Sequence, residues 1–458
     1  MKKILLFVIT LPLLASAQSN ADSIFIKKIS DDVLQNGKAY EWLHQLTKGI
    51  GGRLAGSPQF AKAIEWGKQT LESIGADKVY LQECMVPHWV RGNDDKVAIT
   101  AVDDKPYLKP LDALALGNSL GTPTEKGVTA TVIAVNDFDE LEQHKDQLKG
   151  KIVFYNYHFI ATNVSTFRSY AEAGKYRKLG ASRAAKYGAV GVIIRSMSES
   201  TDNNPHTGAM EYNDSFPKIP AAAIGLQDAD KLWDLCHQSK SVTVNITTHG
   251  KFLPDERAYN VIAEVKGSEK PDEIITIGGH LDSWDVNEGA HDDGAGVVHT
   301  MEVLRVLKAL GYKPKHTIRF VLFANEENGA RGGAKYAELA KQLGEKHIFA
   351  LESDDGGFTP RGFSFSASAA VWEKLNTWKP LFEPYGGNEF IKGSGGTDIE
   401  PLRKALNTPE AGLKPDSQRY FDVHHARSDV FENVNRRELL LGAVNMAALI
   451  YLVDKYGL

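Results

Sequence analysis

The amino-acid sequence predicts an α/β protein: a doubly wound, mostly parallel sheet with helices on both faces, joined to an inserted β-rich domain. Three observations carry this prediction. After Pro254, apolar runs of strand length alternate with stretches of helical period, the pattern of strands buried on both faces. Between about 116 and 250 the texture changes to short strands around one basic helix. The composition is that of an ordinary globular chain, 42% hydrophobic and 24% charged, and 458 residues leave room for more than one domain.

Taken in order, Lys2 and Lys3 precede a mostly apolar run at 4–17 that ends Ala15-Ser16-Ala17. This reads as a secretory signal peptide, shorter than the ~20 residues of a membrane span, with no comparable run later. The mature chain is expected to begin near Gln18 and to be secreted or periplasmic. Helical periods at 40–50 and 59–74 flank the turn GGRLAGS, and 78–83 alternates as a strand. The inserted segment has short strands at 129–135, 151–155, 190–194 and 242–246. Its helix at 170–186 carries Lys175, Arg177, Lys178, Arg183 and Lys186, read as a solvated face rather than an anion site. Beyond Pro254, strands are expected at 261–265, 274–278, 317–324 and 348–352, and helices at 294–310, 332–343, 369–382 and 436–456. The expected division is a signal peptide at 1–17, a first catalytic part at 18–115, the insertion at 116–252 and the rest of the catalytic domain at 253–458.

A net charge of -5 provides no field that would draw the chain to nucleic acid or acidic membrane. The expected partner is a short peptide, and a homodimer is compatible with the sequence. Cys84 and Cys236 are the two cysteines; a chain of this length needs no disulfide, so they are expected to stay unbridged, and no Cys-x-x-Cys exists for a structural zinc.

In such a sheet, ligands bind beyond the carboxyl ends of the strands, and those positions are rich in imidazole and carboxylate. GGHLDSWD closes one strand, GAHDDGAG follows it, FANEENG and ESDDGG close two others, and HHARSD comes near the end. Singly, each reads as a turn, a helix N-terminus or a hydrogen-bonded loop. Together they would repel one another unless a cation neutralised them. Histidine and carboxylate without thiolate suits zinc in a hydrolytic site, and a shared carboxylate allows two ions about 3.5–4 Å apart. No G-x-S-x-G elbow, phosphate loop or H-E-x-x-H motif competes.

These five motifs, in this order, resemble the co-catalytic zinc exopeptidases of the aminopeptidase and glutamate carboxypeptidase family. The likeness extends into the insertion through YRKLGASRAAKYGAVGVIIRS and PHTGAMEYNDSFPKIPAAAI, and so covers most of the mature chain. It implies a phosphorylase/hydrolase-like catalytic domain with a protease-associated-type insertion, and hydrolysis of dipeptides or short peptides with a free N-terminus. It also implies two zinc ions per chain: His280 and Asp354 on one, Glu327 and His425 on the other, Asp292 bridging, and Glu326 as general base to water activated between them.

Within the resemblance, Asp282 would orient the His280 imidazole and Asp429 the His425 imidazole. The pattern of a histidine followed four residues later by an acid favours His425 over His424, and Asp354 is preferred to Glu352 or Asp355. A cis peptide between Asp292 and Asp293 is implied. The insertion is expected to roof the site with the loop Pro205-His206-Thr207-Gly208. Two other readings stay open: a single-zinc acyltransferase of the glutaminyl cyclase kind, which zinc counting separates, and a metal-free receptor, which the complete ligand set and intact Glu326 oppose. If the substrate is instead held by its terminal carboxylate, Arg403, Arg419 and Arg427 are the candidates.

Overall fold

The computed structural model describes residues 10–458, with side chains from Asn20 onward. The first nine residues of the expected signal peptide, and all its side chains, lie outside the described residues. Three helices, α1 (Thr10–Asn36), α2 (Ala39–Gly49) and α3 (Pro58–Ile74), precede the first strand, β1 (Lys78–Val90). Helix α1 escaped the sequence reading; it buries Ile26, Ile29 and Val33, three and four residues apart. Helix α3 starts where local chemistry dictates: the Ser57 hydroxyl accepts the Phe60 N–H, Pro58 opens the first turn, and Gly75 ends the helix at φ 91°.

After β1 the chain builds a second sheet from β2 (Lys96–Val102), β3 (Lys105–Leu111), β4 (Ala113–Ala115), β5 (Val128–Val135), β6 (Ile152–Tyr155), β7 (Gly191–Arg195), β8 (Ala221–Ile224) and β9 (Val242–Thr247). Its helices are α4 (Phe138–Gln143), α5 (Thr166–Ala185) and α6 (Leu226–Gln238). The order is β3-β2-β9-β5-β6-β7-β8-β4. Residues 96–115, read from sequence as catalytic, therefore belong to this sheet: β2 pairs with β9 and β4 with β8. Asp103 and Asp104, both at positive φ, turn the β2–β3 hairpin.

The chain returns along β10 (Lys251–Val265), whose first residue pairs with Val90, so the insertion leaves and re-enters at one point. Then follow β11 (Lys270–His280), α7 (Ala295–Ala309), β12 (His316–Phe323), α8 (Arg331–Leu343), β13 (Lys346–Glu352), β14 (Pro360–Ser366), α9 (Ala369–Asn376), α10 (Lys379–Phe382), β15 (Glu389–Lys392), α11 (Glu400–Leu406), β16 (Glu410–Pro415), α12 (Tyr420–Val423) and α13 (Arg436–Tyr456). The order is β1-β10-β12-β11-β13-β16-β14-β15; β11, β12, β13 and β16 run parallel at its centre, and antiparallel pairs flank them. Pro380 splits the single helix expected at 369–382, because proline cannot continue the hydrogen-bond ladder.

Successive strand residues feed opposite faces. Ile318, Phe320 and Leu322 pack in the core with α1, α2, α3, α7 and α13, whereas Val321 and Phe323 pack with Tyr336 and Ala337 of α8 and Leu402 of α11. Helix α13 is long and apolar enough to span a membrane, a run the sequence reading passed over, yet 83% of its apolar window is buried inside the protein, as befits a core helix. Cys84 and Cys236 are both free.

Arg53, in the turn between α2 and α3, has no exposed surface. Its Nε donates to the Leu281 carbonyl at 2.6 Å, and Nη1 and Nη2 donate to the carbonyls of Glu288 and Gly289 at 2.7 and 3.0 Å. One guanidinium thus ties the end of β11 to the turn before α7. Burial pulls its pKa down to about 10, opposed by Asp429, Asp282, Asp293 and Glu327. Arg53→Met strands three buried carbonyls and removes the balancing charge, and is expected to cost about 3–5 kcal/mol in urea unfolding of metal-stripped protein, with Arg53→Lys costing less; a loss below ~1 kcal/mol for the methionine variant would refute the clamp.

Candidate metal centre

Because β11, β12 and β13 are parallel neighbours, their carboxyl ends lie on one edge. His280 ends β11, Glu326 and Glu327 follow β12, and Asp354 follows β13. Asp292 comes from the irregular turn before α7, and His424 and His425 follow α12. Every expected site residue reaches this edge, across 146 positions of sequence.

Asp292 is the centre of the arrangement. Its Oδ1 lies 3.2 Å from His280 Nε2, which is also 3.2 Å from Asp354 Oδ1. Its Oδ2 lies 3.2 Å from His425 Nε2, which is also 3.2 Å from Glu327 Oε2. His424 Nε2 approaches the same Oδ2 at 3.4 Å, but its ring stacks on His425 and packs against Tyr170, Tyr420 and Phe421. Two groups of three potential ligand atoms lie close together, His280 with Asp292 and Asp354, and Asp292 with His424 and His425. Asp292 Oδ2 and Glu327 Oε1 are buried with no hydrogen-bond partner, an arrangement that fits a metal and is otherwise costly.

Three further aspartates fix the segments that carry these groups, each through both oxygens. Asp282 accepts the N–H groups of Glu326 and Glu327 at 3.0 and 3.3 Å, Asp293 those of His280 and Gly296 at 3.0 and 2.8 Å, and Asp429 those of His291 and Asp292 at 2.8 and 3.1 Å. This corrects two sequence expectations. The His280 Nδ1 is met by the backbone carbonyl of Asp282 at 3.0 Å, with the carboxylate at 3.7 Å, beyond hydrogen-bond range. Asp429 holds the Asp292 backbone, and His425 Nδ1 instead faces the Thr207 carbonyl at 3.3 Å. Gly279 is required here, since a Cβ would stand 2.5 Å from Asp293 Oδ2. The Asp292–Asp293 peptide is cis, as the resemblance implied.

Burial is the largest influence on the carboxylates of this edge. It raises Glu326 to about 8 and Asp354 and Glu327 above their usual range, with neighbouring carboxylates adding to the effect. Burial also opposes ionisation of Asp292, but His280 and His425 outweigh it and hold its pKa well below normal. His280 is disfavoured as a cation by burial, yet Asp354, Asp282 and Asp292 lift its pKa well above the ordinary value. Ionised together, these carboxylates would carry more negative charge than the chain itself neutralises.

The inserted domain closes over this edge. The Thr207 N–H donates to the His425 carbonyl at 2.9 Å, and His206 Nδ1 donates to the His424 carbonyl at 2.7 Å. His425 is held at φ 61°, a left-handed conformation that persists because these bonds over-determine it. Helix α5 brings Tyr170 and Arg177 to a cavity of about 460 Å³ shared with Asp292, Glu326, Glu327 and Asp354. Sequence reasoning placed Arg177 on a solvated face and missed both residues; nothing in helical period tells which side of a helix meets another domain.

Residues 260–450 match the model of peptidase family M28, and residues 121–232 that of the PA domain. Human carboxypeptidase Q is 35% identical over 91% of this chain and 85% of its own length. A crystal structure of a peptidase M28 precursor from Shewanella amazonensis SB2B superposes with a TM-score of 0.90 at 34% identity, covering 95% of this chain and 97% of that one. A zinc aminopeptidase from Bacillus subtilis shares the fold, with a TM-score of 0.64 at 21% identity over 91% of this chain and 94% of its own. With buried histidines and carboxylates converging at the sheet edge and this degree of likeness along nearly its whole length, the chain belongs to peptidase family M28 and is a zinc-dependent metallopeptidase similar to carboxypeptidase Q.

Proposed function

We propose that the protein is an exported two-zinc exopeptidase acting on dipeptides or short peptides with a free N-terminus. The observation that carries this reading is Asp292, whose oxygens face His280 on one side and His425 on the other. His280 and Asp354 would hold one ion, Glu327 and His425 the second, with Asp292 between them. His425 is preferred to His424 because His425 alone of the two approaches both Asp292 and Glu327 among the described contacts. Zinc held there lowers the pKa of water and polarises the scissile carbonyl.

The chain's own groups do the rest. Glu326, its backbone held by the Asp282 carboxylate, faces the cavity beside the ligand residues, where it can take a proton from water and return it to the leaving amine. The acidic wall favours a protonated substrate amine through charge-assisted hydrogen bonds. The inserted domain, through Tyr170 and Arg177, narrows the approach to short substrates. Residues 1–17 would direct export and be removed in its course.

Metal analysis of fully active protein is expected to find two zinc ions per chain; full activity with one would move the reading to a single-zinc acyltransferase. Glu326→Gln should retain both ions and lose about 100–10,000-fold in rate, whereas Glu327→Gln should lose affinity for one ion; equal metal loss in the two variants would show that the roles assigned to these neighbours are wrong. A dipeptide should be cleaved and its N-acetyl form should not, with KM and kcat both affected at saturating zinc. Comparable kcat/KM for the two forms would eliminate recognition of the amine.

A further inference from the structure

We propose that Arg177 of the inserted domain binds the free C-terminal carboxylate of the substrate and so sets where the enzyme can cut; this rests on the peptidase reading above. The cavity wall is dominated by carboxylates, with Arg177 and Lys414 as its cations. Lys414 is already neutralised by a hydrogen bond to Asp355. Arg177 has no carboxylate partner among the described residues, and its Nε is buried without a hydrogen-bond partner. Its polar neighbours are His425 Nδ1, 3.3 Å from Nη1, and the Tyr170 hydroxyl, which takes one of its five N–H groups.

The imidazole does not satisfy it. With His425 Nε2 turned toward Asp292 and Glu327, the ring proton belongs on Nδ1, which faces the Thr207 carbonyl at 3.3 Å. Nδ1 is then a donor, and so is Nη1. Arg177 is left with at least two unmet donors on a planar charged fork, the geometry that matches a carboxylate. The guanidinium is held in place: it lies 5.3 Å over the Tyr170 ring, and Gly208, at φ 128°, lets it pass where a Cβ would come within 2.4 Å of Nη1.

Reach decides which carboxylate it meets. One imidazole separates the fork from the ligand edge where a scissile carbonyl would sit. The carboxylate of the residue just after that bond lies roughly one residue step away, about 3.8 Å, and the carboxylate of a residue further on lies about twice as far. A dipeptide therefore offers Arg177 an anion, and a tripeptide offers a neutral amide. The arginines that the sequence suggested for this task are committed elsewhere, Arg403 to Glu400 and Glu410, Arg419 to Glu438 and Arg427 to Asp112.

The test compares a dipeptide, its C-terminal amide and the tripeptide extended at the C-terminus, all on the zinc-loaded enzyme. The wild type should prefer the free acid to the amide by roughly 10–100-fold in kcat/KM, mostly through KM, and Arg177→Gln should bring that ratio close to one, with Arg177→Lys between. Zinc content and Tm are measured alongside, since a purely structural role would lower acid and amide equally and reduce bound zinc with them. Equal cleavage of acid and amide by the wild type, or an unchanged ratio in Arg177→Gln, would overturn the assignment. Should the glutamine variant not fold, the wild-type comparison and the lysine variant decide. If zinc-loaded wild type cleaves none of the three, the peptidase reading itself falls, an outcome distinct from cleavage without discrimination.

Discussion

Gathering buried carboxylates at one edge of a sheet is unfavourable by itself: two like charges 4 Å apart repel by roughly 4 kcal/mol at an effective dielectric near 20, and each loses hydration besides. Asp292, Glu326, Glu327 and Asp354 meet in such a place, and the raised pKa values of Glu326, Glu327 and Asp354 record the conflict. The fold must hold these groups where they repel, so that a cation finds them already arranged. Much of the catalytic domain can be understood as the scaffolding for that constraint.

The scaffolding is a set of cross-links between segments distant in sequence. Asp282, Asp293 and Asp429 each accept two backbone N–H groups, so the segment bearing one ligand is fixed by a carboxylate from another. These aspartates would aggravate the repulsion, and Arg53 is the buried charge that offsets them while gripping the same loops by three carbonyls. Stability and metal geometry are thus coupled through one side chain. The flanking helices supply the apolar burial against which this polar network is maintained.

The inserted domain plays a different part. It leaves and re-enters beside the paired ends of β1 and β10, and Arg91 near that junction grips Asp285 of the catalytic domain with Nε and Nη2 at 2.9 and 2.8 Å. From there its Pro205–Gly208 loop pairs with the histidine segment, and α5 supplies the basic and aromatic side of the cavity. Carboxylates from the catalytic domain and a guanidinium from the insertion give a cavity lined by opposite charges.

The sequence by itself determined the alternation of buried strands and helices, the order of the metal-binding motifs and the segments that bear them, because apolar period and residue chemistry are local properties. The resemblance favoured His425 over His424 through the spacing to Asp429, but Asp429 holds the Asp292 backbone instead. Only the tertiary structure decided the partners. Residues 96–115 join the second sheet through pairing with strands more than 100 positions away, Arg53 in a plain turn becomes a buried clamp, and Arg177 on a basic helix turns into the cavity. Each of these depends on which surfaces meet once the chain has closed on itself, and long-range packing leaves no periodic or compositional trace in the residues that take part in it.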